Sequence, residues 1–236
     1  MLVRITNKCM MACSHCLVNA IPDGGHMAIE TFTQTIDLLQ RLRIDLIMLS
    51  GGEPTDHPDF LKYVRFAKSC GFTTAILSNG MFLDNEKYRE EILALGCLIQ
   101  ITNDPRYYPR RITRIEHPLI SYETKLRTLV ALGRSKENIG RKAPGSFNFR
   151  SLVRSIRSVS GAIATLRVHG KMCTPSINAD GSVVAGESPE CFKIGTVHST
   201  ETELLDNVLA MKHCNRCGLE SILDPPYRRA IGLEGD

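Results

Sequence analysis

Residues 6–16 read Thr-Asn-Lys-Cys-Met-Met-Ala-Cys-Ser-His-Cys and place Cys9, Cys13 and Cys16 close together in the chain. Residues 2–6 resemble a short strand, so these cysteines fall in the loop that follows it. Cysteine thiolates hold iron–sulfur clusters, usually four per four-iron unit, so three thiolates leave one iron open to another ligand. The alternative is a zinc ion bound by these cysteines and His15. However, His15 lies between two of the ligands and would reach the same metal only with strain.

The chain around this loop alternates between apolar strand patterns and amphipathic helix patterns. This alternation predicts βα units and an α/β fold built on a parallel sheet. We expect strands at 2–6, 45–49, 73–78, 97–102 and 163–169, and helices at 29–42, 58–69, 84–95, 122–133, 147–158 and 200–212. From about residue 171, cysteine, glycine and proline become frequent, so we expect a domain boundary near residue 170.

Small polar loops follow three of the predicted strands. Their sequences are Ser50-Gly51-Gly52-Glu53-Pro54, Ser78-Asn79-Gly80 and Thr102-Asn103-Asp104. Because the carboxyl ends of parallel strands meet at one edge of a sheet, these loops and the cysteine loop are expected to lie together. A ligand site is therefore predicted at this edge.

The stretch 6–16 resembles the signature of the radical S-adenosylmethionine (SAM) superfamily, and residues 50–54 resemble its Gly-Gly-Glu-Pro motif. The resemblance implies a partial (β/α)6 barrel and a [4Fe-4S] cluster on Cys9, Cys13 and Cys16, with SAM on the open iron. It places His15 near the adenine and Glu53 on the SAM amino group. The residues it assigns to SAM binding are His15, Gly51, Gly52, Glu53, Pro54, Ser78, Asn79, Thr102 and Asp104.

Four further cysteines occupy the last third of the chain with the spacing C-x17-C-x22-C-x2-C: Cys173, Cys191, Cys214 and Cys217. Four thiolates suit a tetrahedral zinc ion or a fully ligated cluster. Asp180-Gly181 between the first two predicts a hairpin. The arrangement resembles the twitch form of the SPASM auxiliary-cluster domain, which implies a second [4Fe-4S] cluster. The domains are then a radical SAM core at 1–170 and an auxiliary domain at 171–236.

The resemblance also implies the chemistry. An electron from a donor such as flavodoxin or ferredoxin reduces the first cluster. SAM is then cleaved to methionine and a 5′-deoxyadenosyl radical, which removes hydrogen from the substrate and leads to its oxidation or rearrangement. The auxiliary cluster takes an electron from the substrate radical or acts as a relay.

Charge gives one sequence indication of the substrate. The net charge of the chain is +4. Residues 106–157 carry 13 lysines and arginines against three acidic residues, an excess of +10. This excess favours an anionic partner such as a nucleotide, a nucleic acid or a phosphorylated small molecule. The alternative is that these basic residues form a surface exposed to solvent without a partner.

Two other functions stay open at this point. One is the modification of ribosomally made peptides, which the auxiliary-domain resemblance favours. The other is a non-catalytic iron–sulfur or zinc protein. The chain has no apolar stretch of membrane-spanning length and no secretory signal pattern at its N-terminus, so a cytoplasmic location is expected.

Overall fold

The computed structural model describes residues 1–126, 132–138 and 175–209. Its strands are β1 (Leu2–Thr6), β2 (Leu46–Gly51), β3 (Thr73–Ser78), β4 (Leu98–Thr102), β5 (Ile120–Glu123), β6 (Ser176–Ile177), β7 (Ser182–Val184) and β8 (Lys193–Thr196). Its helices are α1 (Ile29–Arg41), α2 (Phe60–Ser69), α3 (Glu86–Leu93), α4 (Gly133–Asn138) and α5 (Glu201–Leu209). Within these residues, no helix has the length and apolar character needed to cross a membrane.

One sheet contains all the described strands, in the order β5-β4-β3-β2-β1-β6-β7-β8. The strands from β5 to β6 pair in parallel, whereas β7 and β8 are antiparallel to their neighbours. The predicted α/β fold with a parallel sheet is therefore confirmed. It brings the carboxyl ends of β1 to β5, and the loops that follow them, to one edge.

Apolar side chains at helical spacing bury one face of α1 against the sheet. Phe32, Ile36 and Leu39 are buried, and Phe32 stacks on Tyr63 of α2 with ring centroids 4.4 Å apart. The strands supply alternate residues to the same core, including Ile47 and Ile76. This core fixes the strand ends from which the functional loops project.

The sequence prediction of a helix over 122–133 was wrong at its start, and residues 127–131 of that range lie outside the described residues. Ile120–Glu123 is instead the strand β5, and its residues pair in register with Ile99–Thr102 of β4. Ile120 and Tyr122 pack against the core, whereas Ser121 points to the other face. The apolar residues of this short segment therefore have a period of two, which four residues are too few to reveal in the sequence.

The predicted hairpin at Asp180-Gly181 is confirmed. It joins β6 to β7, and Gly181 has a φ of +78°, a left-handed conformation that suits glycine. The helix predicted at 147–158, the strand predicted at 163–169 and the boundary near 170 lie outside the described residues. Since β6 extends the sheet beyond β1, the hairpin is continuous with the core sheet, and the division into two domains stays a prediction.

This continuity predicts that the hairpin and the core unfold together. Ile47 of β2 and Ile194 of β8 are both fully buried. Replacing either by alanine should lower the free energy of unfolding by about 2–5 kcal/mol, through lost burial and the cavity left behind. Anaerobic urea unfolding of the cofactor-loaded protein should show one transition, shifted in both variants. A separate early transition in Ile194→Ala alone would mean that the hairpin is an independent unit.

Candidate active site

The cysteine loop begins at the end of β1 and returns to its own start. The backbone amide of Asn7 donates to Gly25 O (2.8 Å), and the amide of Cys9 donates to Ile21 O (3.0 Å). The amide of Ile21 donates in turn to Asn7 O (3.1 Å). Residues 7–25 therefore form a closed loop whose ends are fixed beside β1.

The three predicted cluster ligands share a small apolar cluster in this loop. Cys9 and Cys13 are buried and pack with Met11 and Ala20, and the half-buried Cys16 packs against them. Burial raises the pKa of the Cys9 thiol to about 11 and that of the Cys13 thiol to about 12. A metal group that binds these sulfurs as thiolates must therefore displace their protons.

Amide N–H groups are directed at two of the sulfur atoms. Cys9 Sγ accepts from the backbone amide of Met11 (3.4 Å) and from Asn79 Nδ2 (3.7 Å). Cys16 Sγ accepts from the backbone amide of Ala20 (3.3 Å). Hydrogen bonds of this kind stabilise thiolates and tune the potentials of iron–sulfur clusters. The donor set therefore fits a cluster.

Among the residues that the structure describes, no three potential ligands converge on a single point as a mononuclear metal site requires. In a [4Fe-4S] cluster each cysteine binds a different iron, so the three sulfurs of the loop need not converge.

The Gly-Gly-Glu-Pro loop after β2 packs directly on the cysteine loop. The amide of Gly52 donates to Thr6 O (2.7 Å), and the amide of Glu53 donates to Lys8 O (2.8 Å). A Cβ atom on Gly52 would lie 2.2 Å from Lys8 O, so only glycine allows this approach. The two motifs that resemble the radical SAM signature are thus in contact through their backbones.

Glu53 is 1% exposed, and its carboxylate binds the loop after β3. Its Oε1 accepts from Ser78 Oγ (2.8 Å) and from Thr55 Oγ1 (2.7 Å), and its Oε2 accepts from the amide of Asn79 (2.7 Å). Burial raises the pKa of Glu53 to about 6, and these hydrogen bonds oppose the rise. Glu53 therefore links two loops of the site. Its contact with the SAM amino group stays a prediction.

His15 lies at the other side of the cysteine loop and is 8% exposed. Its ring centroid is 4.8 Å from that of Tyr108 and 5.3 Å from that of Tyr107. Burial lowers its pKa, which favours the neutral imidazole. Within the described part of the chain, its buried Nδ1 has no hydrogen-bond partner. A buried polar atom without a partner is costly, so the site suits a ligand that supplies one, as the nucleoside of SAM could.

The acidic residue of the loop after β4 has partners within the chain. The Asp104 carboxylate, expected at the SAM ribose, pairs with the Arg106 guanidinium (2.5 Å) and accepts from the amide of Leu126 (2.8 Å). The hydrogen bonds and charge of Arg106 hold the pKa of Asp104 well below its usual range. Thr102 pairs with Glu123 at the end of β5. Ribose contacts by Thr102 and Asp104 stay predictions.

Several basic residues of segment 106–157 have partners within the chain. Arg106 binds Asp104, the guanidinium of Arg114 lies 5.4 Å from the centre of the Tyr122 ring, and Arg134 binds the cysteine loop. The excess of +10 assigned all of these charges to an anionic substrate. The positive charge available to a ligand is therefore smaller than that excess. Residues 127–131 and 139–157 of this segment lie outside the described part.

Of the predicted auxiliary ligands, only Cys191 lies within the described residues, and it is half-buried. A Cβ atom on Gly186 would lie 2.6 Å from Cys191 Sγ, so the loop before β8 closes tightly around the sulfur. The same loop contacts the cysteine loop, because Ser188 Oγ donates to Leu17 O (2.8 Å). Cys173, Cys214 and Cys217 lie outside the described residues.

Sequence reasoning missed Arg4, a 99% buried residue of β1. Its Nη1 donates to Ser176 Oγ (2.7 Å) and to Asn178 Oδ1 (2.7 Å), and its Nη2 donates to Gly186 O (3.5 Å). Burial lowers the pKa of Arg4 to about 10, and the charges of Cys191 and Glu187 oppose this. Its partners are more than 170 residues away in the chain, so no local pattern could have revealed them.

The sequence of residues 3–136 matches the family described as the radical SAM superfamily. The chain belongs to the radical SAM superfamily. This family binds a [4Fe-4S] cluster and SAM, so the match agrees with the cysteine loop and its contact with the Gly-Gly-Glu-Pro loop.

Curated relatives are similar over part of their length. An S-adenosylmethionine-dependent nucleotide dehydratase of Selenomonas ruminantium is 30% identical over 56% of this chain and 50% of its own length. The mycofactocin maturase MftC of Mycobacterium ulcerans is 30% identical over 42% of this chain and 27% of its own. The chain thus spans at most half the length of these radical SAM relatives.

A solved structure supports the fold over nearly the whole chain. The crystal structure of BtrN in complex with AdoMet and 2-DOIA has a TM-score of 0.57 with this radical SAM protein. The match covers 93% of this chain and 87% of BtrN at 15% sequence identity. At that identity, the similarity concerns the fold alone.

The raised pKa of Glu53 predicts a specific pH dependence of stability. The folded protein holds this proton up to a pH of about 6, whereas a free glutamate loses it near 4.5. Between these values the native state binds more protons than the unfolded state, so this residue makes stability fall as pH rises. Glutamine does not ionise, so Glu53→Gln lacks this contribution. The free energy of unfolding of the wild type minus that of the variant should therefore fall by about 2 kcal/mol between pH 4.5 and about 6.

Urea unfolding of both proteins at several pH values between 4 and 7 measures this difference. The hydrogen bonds that the amide loses shift the variant by a constant amount, whereas the proton contributes a slope. A difference between the two proteins that does not change with pH would contradict the raised pKa.

Proposed function

We propose that this protein cleaves SAM reductively at a [4Fe-4S] cluster on Cys9, Cys13 and Cys16, and that the resulting radical removes hydrogen from a substrate. When bound, the cluster and SAM supply the 5′-deoxyadenosyl radical, and the protein supplies orientation and the exclusion of water. The observation that carries the proposal is the contact between two motifs. A closed loop with three cysteines lies directly on the Gly-Gly-Glu-Pro loop, at the carboxyl edge of a parallel sheet.

The residues around the sulfurs have separate tasks in this proposal. Gly51, Gly52, Glu53 and Pro54 hold the SAM amino group, and Ser78 and Asn79 support the loop that carries Glu53. His15, whose Nδ1 has no hydrogen-bond partner among the described residues, meets the nucleoside. Thr102 and Asp104 lie on the ribose side. The electron comes from a low-potential donor such as flavodoxin or ferredoxin. Cysteines must stay reduced to bind iron, and the cytoplasm keeps cysteines reduced, so we place the protein there.

We infer that the substrate is anionic, with a nucleotide as the first candidate. The basic excess of residues 106–157 supports this inference, although Arg106, Arg114 and Arg134 have other partners. The name of the Selenomonas ruminantium relative, a nucleotide dehydratase, points the same way. A nucleic acid or a phosphorylated small molecule carries the same charge. Salt-dependent binding distinguishes nucleic acid, since each phosphate contact releases counterions.

Peptide modification is the second candidate. MftC is a maturase, and a second relative, from Bradyrhizobium diazoefficiens, is named PqqA peptide cyclase, with 26% identity over 43% of this chain. The auxiliary-domain resemblance favours this candidate. Incubation of the loaded enzyme with nucleotides and with candidate precursor peptides, followed by mass spectrometry, separates the two.

Cys13→Ala should abolish SAM cleavage, because two thiolates cannot hold the cluster in its open-iron form. Formation of 5′-deoxyadenosine from SAM and dithionite under anaerobic conditions is the measurement, and it should fall at least 100-fold. Cys70→Ala is the matched control, since Cys70 lies at the end of α2 and packs against the main core. Wild-type turnover in purified Cys13→Ala would reject the cluster assignment.

We also propose that Cys173, Cys191, Cys214 and Cys217 bind an auxiliary [4Fe-4S] cluster. Two features of the described loop support this. Gly186 closes on Cys191 Sγ, and the buried Arg4 places a positive charge at Gly186 O, where an anionic thiolate centre would offset it. This second cluster would accept an electron from the substrate radical or act as a relay. A zinc ion is the alternative occupant.

Replacing Cys191 or Cys214 by serine should lower the iron content from about eight to about four atoms per chain. The variants should still form 5′-deoxyadenosine but should not release oxidised product. Iron, sulfide and zinc analysis after anaerobic reconstitution is the measurement. About four irons in the wild type, with zinc bound, would exclude the second cluster and leave the first unaffected.

A further inference from the structure

The helix α4 lies on the cysteine loop. The backbone amide of Arg134 donates to Cys16 O (2.9 Å), and Asn138 Nδ2 donates to Ser14 O (3.1 Å). The approach is close, because a Cβ atom on Gly133 would lie 2.6 Å from Cys16 O. The carbonyls of Ser14 and Cys16, in the segment that carries two predicted ligands, therefore accept hydrogen bonds from α4.

The side chain of Arg134 joins two distant points of the same loop. Its Nη1 donates to Cys13 O (2.9 Å), and its Nη2 donates to Ala20 O. Cys16 lies between these positions in the chain. A planar guanidinium with donors in a fixed fork can hold two carbonyls at once, which a lysine ammonium cannot do with the same geometry. Arg134 thus fixes the spacing of the loop around the sulfurs.

The Arg134 guanidinium donates to backbone carbonyls of the cysteine loop. The Glu190 carboxylate lies near the same helix, where its Oε1 accepts from the backbone amide of Gly133 (3.1 Å). One of the carbonyls bound by Arg134 is that of Cys13, whose O lies 2.9 Å from Arg134 Nη1, so the guanidinium lies beside a predicted cluster ligand. The positive charge is therefore directed at the place where the proposed cluster would carry negative charge.

We propose that Arg134 is a positioning residue that raises the reduction potential of the SAM-binding cluster and holds its loop closed. One-electron reduction makes the cluster and its thiolates more negative by one charge, and a nearby cation stabilises that form. Reduction from the low-potential donor is thereby favoured. This inference rests on the proposed [4Fe-4S] cluster at Cys9, Cys13 and Cys16, and it removes Arg134 from the set of substrate-binding residues.

The test compares three variants of the full chain, reconstituted anaerobically with iron and sulfide. Arg134→Gln removes the charge and the bridge, whereas Arg134→Lys keeps the charge and loses the bridge. Arg41→Gln is the matched control, because the Arg41 guanidinium also donates to two carbonyls, Ser199 O (3.2 Å) and Val197 O (3.3 Å). Both of these carbonyls follow β8 and lie outside the cysteine loop.

Two readouts separate charge from positioning. The midpoint potential of the cluster, followed by electron paramagnetic resonance in a mediated titration, should become more negative in Arg134→Gln and stay near the wild-type value in Arg134→Lys. The rate of iron loss to a chelator should rise several-fold in both variants. Arg41→Gln should change neither quantity. An unchanged potential in loaded Arg134→Gln would overturn the tuning role, and unchanged iron loss in both variants would overturn the positioning role.

A further pair of variants keeps the test decisive if Arg134→Gln holds no cluster. Asn138→Asp adds a negative charge one helical turn from Arg134 but loses the amide donor to Ser14 O, and Asn138→Ala loses the same donor without adding a charge. The midpoint potential should be lower in Asn138→Asp than in Asn138→Ala, and equal potentials in these two variants would reject the electrostatic role. Absence of iron from the reconstituted wild type would reject the proposed function. A cluster whose potential and iron retention do not depend on Arg134 would reject only this inference.

Discussion

The site depends on a carboxylate that is buried and hydrogen-bonded at the junction of three loops. Glu53 lies in the loop after β2, whose backbone is bonded to the cysteine loop, and it accepts hydrogen bonds from Ser78 and Asn79 after β3. A buried charge is tolerated only when it is satisfied in this way. Asn79 continues the network, since its side-chain amide donates to Cys9 Sγ. The position of the first sulfur is thus linked to the ends of three neighbouring strands.

The same network extends to β4. Asn103 Nδ2 donates to Asn79 O (3.3 Å) and to Arg110 O (3.3 Å), so the loop after β4 is joined to the loop after β3. Glu53 after β2 accepts from Ser78 and Asn79 at the end of β3, and Asn103 after β4 donates to Asn79, so each of these loops is joined to its neighbour. This arrangement explains why residues far apart in the chain can act as one rigid site, with the hydrophobic core behind the sheet fixing the strand ends.

The motifs and the positions of the first four strands could be predicted from the sequence because both are local patterns. The cysteine spacing, the Gly-Gly-Glu-Pro loop and the alternation of strands and helices needed no long-range information. The strand β5 could not be predicted, since four residues carry too little periodicity and its identity comes from pairing with β4. The contacts of Asp104 and Arg134 within the chain could not be predicted for another reason. A charged residue in the sequence does not reveal whether it will meet a ligand or a neighbouring loop.

The helix α4 also touches the second half of the protein. The amide of Gly133 donates to Glu190 Oε1 (3.1 Å), next to Cys191, while the following residue holds the cysteine loop. A ligand that orders one of these loops therefore reduces the entropy cost of ordering the other, and such coupling acts equally in both directions. The consequence concerns maturation. If both proposed clusters are bound, the cysteine set that receives its iron first prepares the other for loading, so the two sites would be filled cooperatively rather than independently.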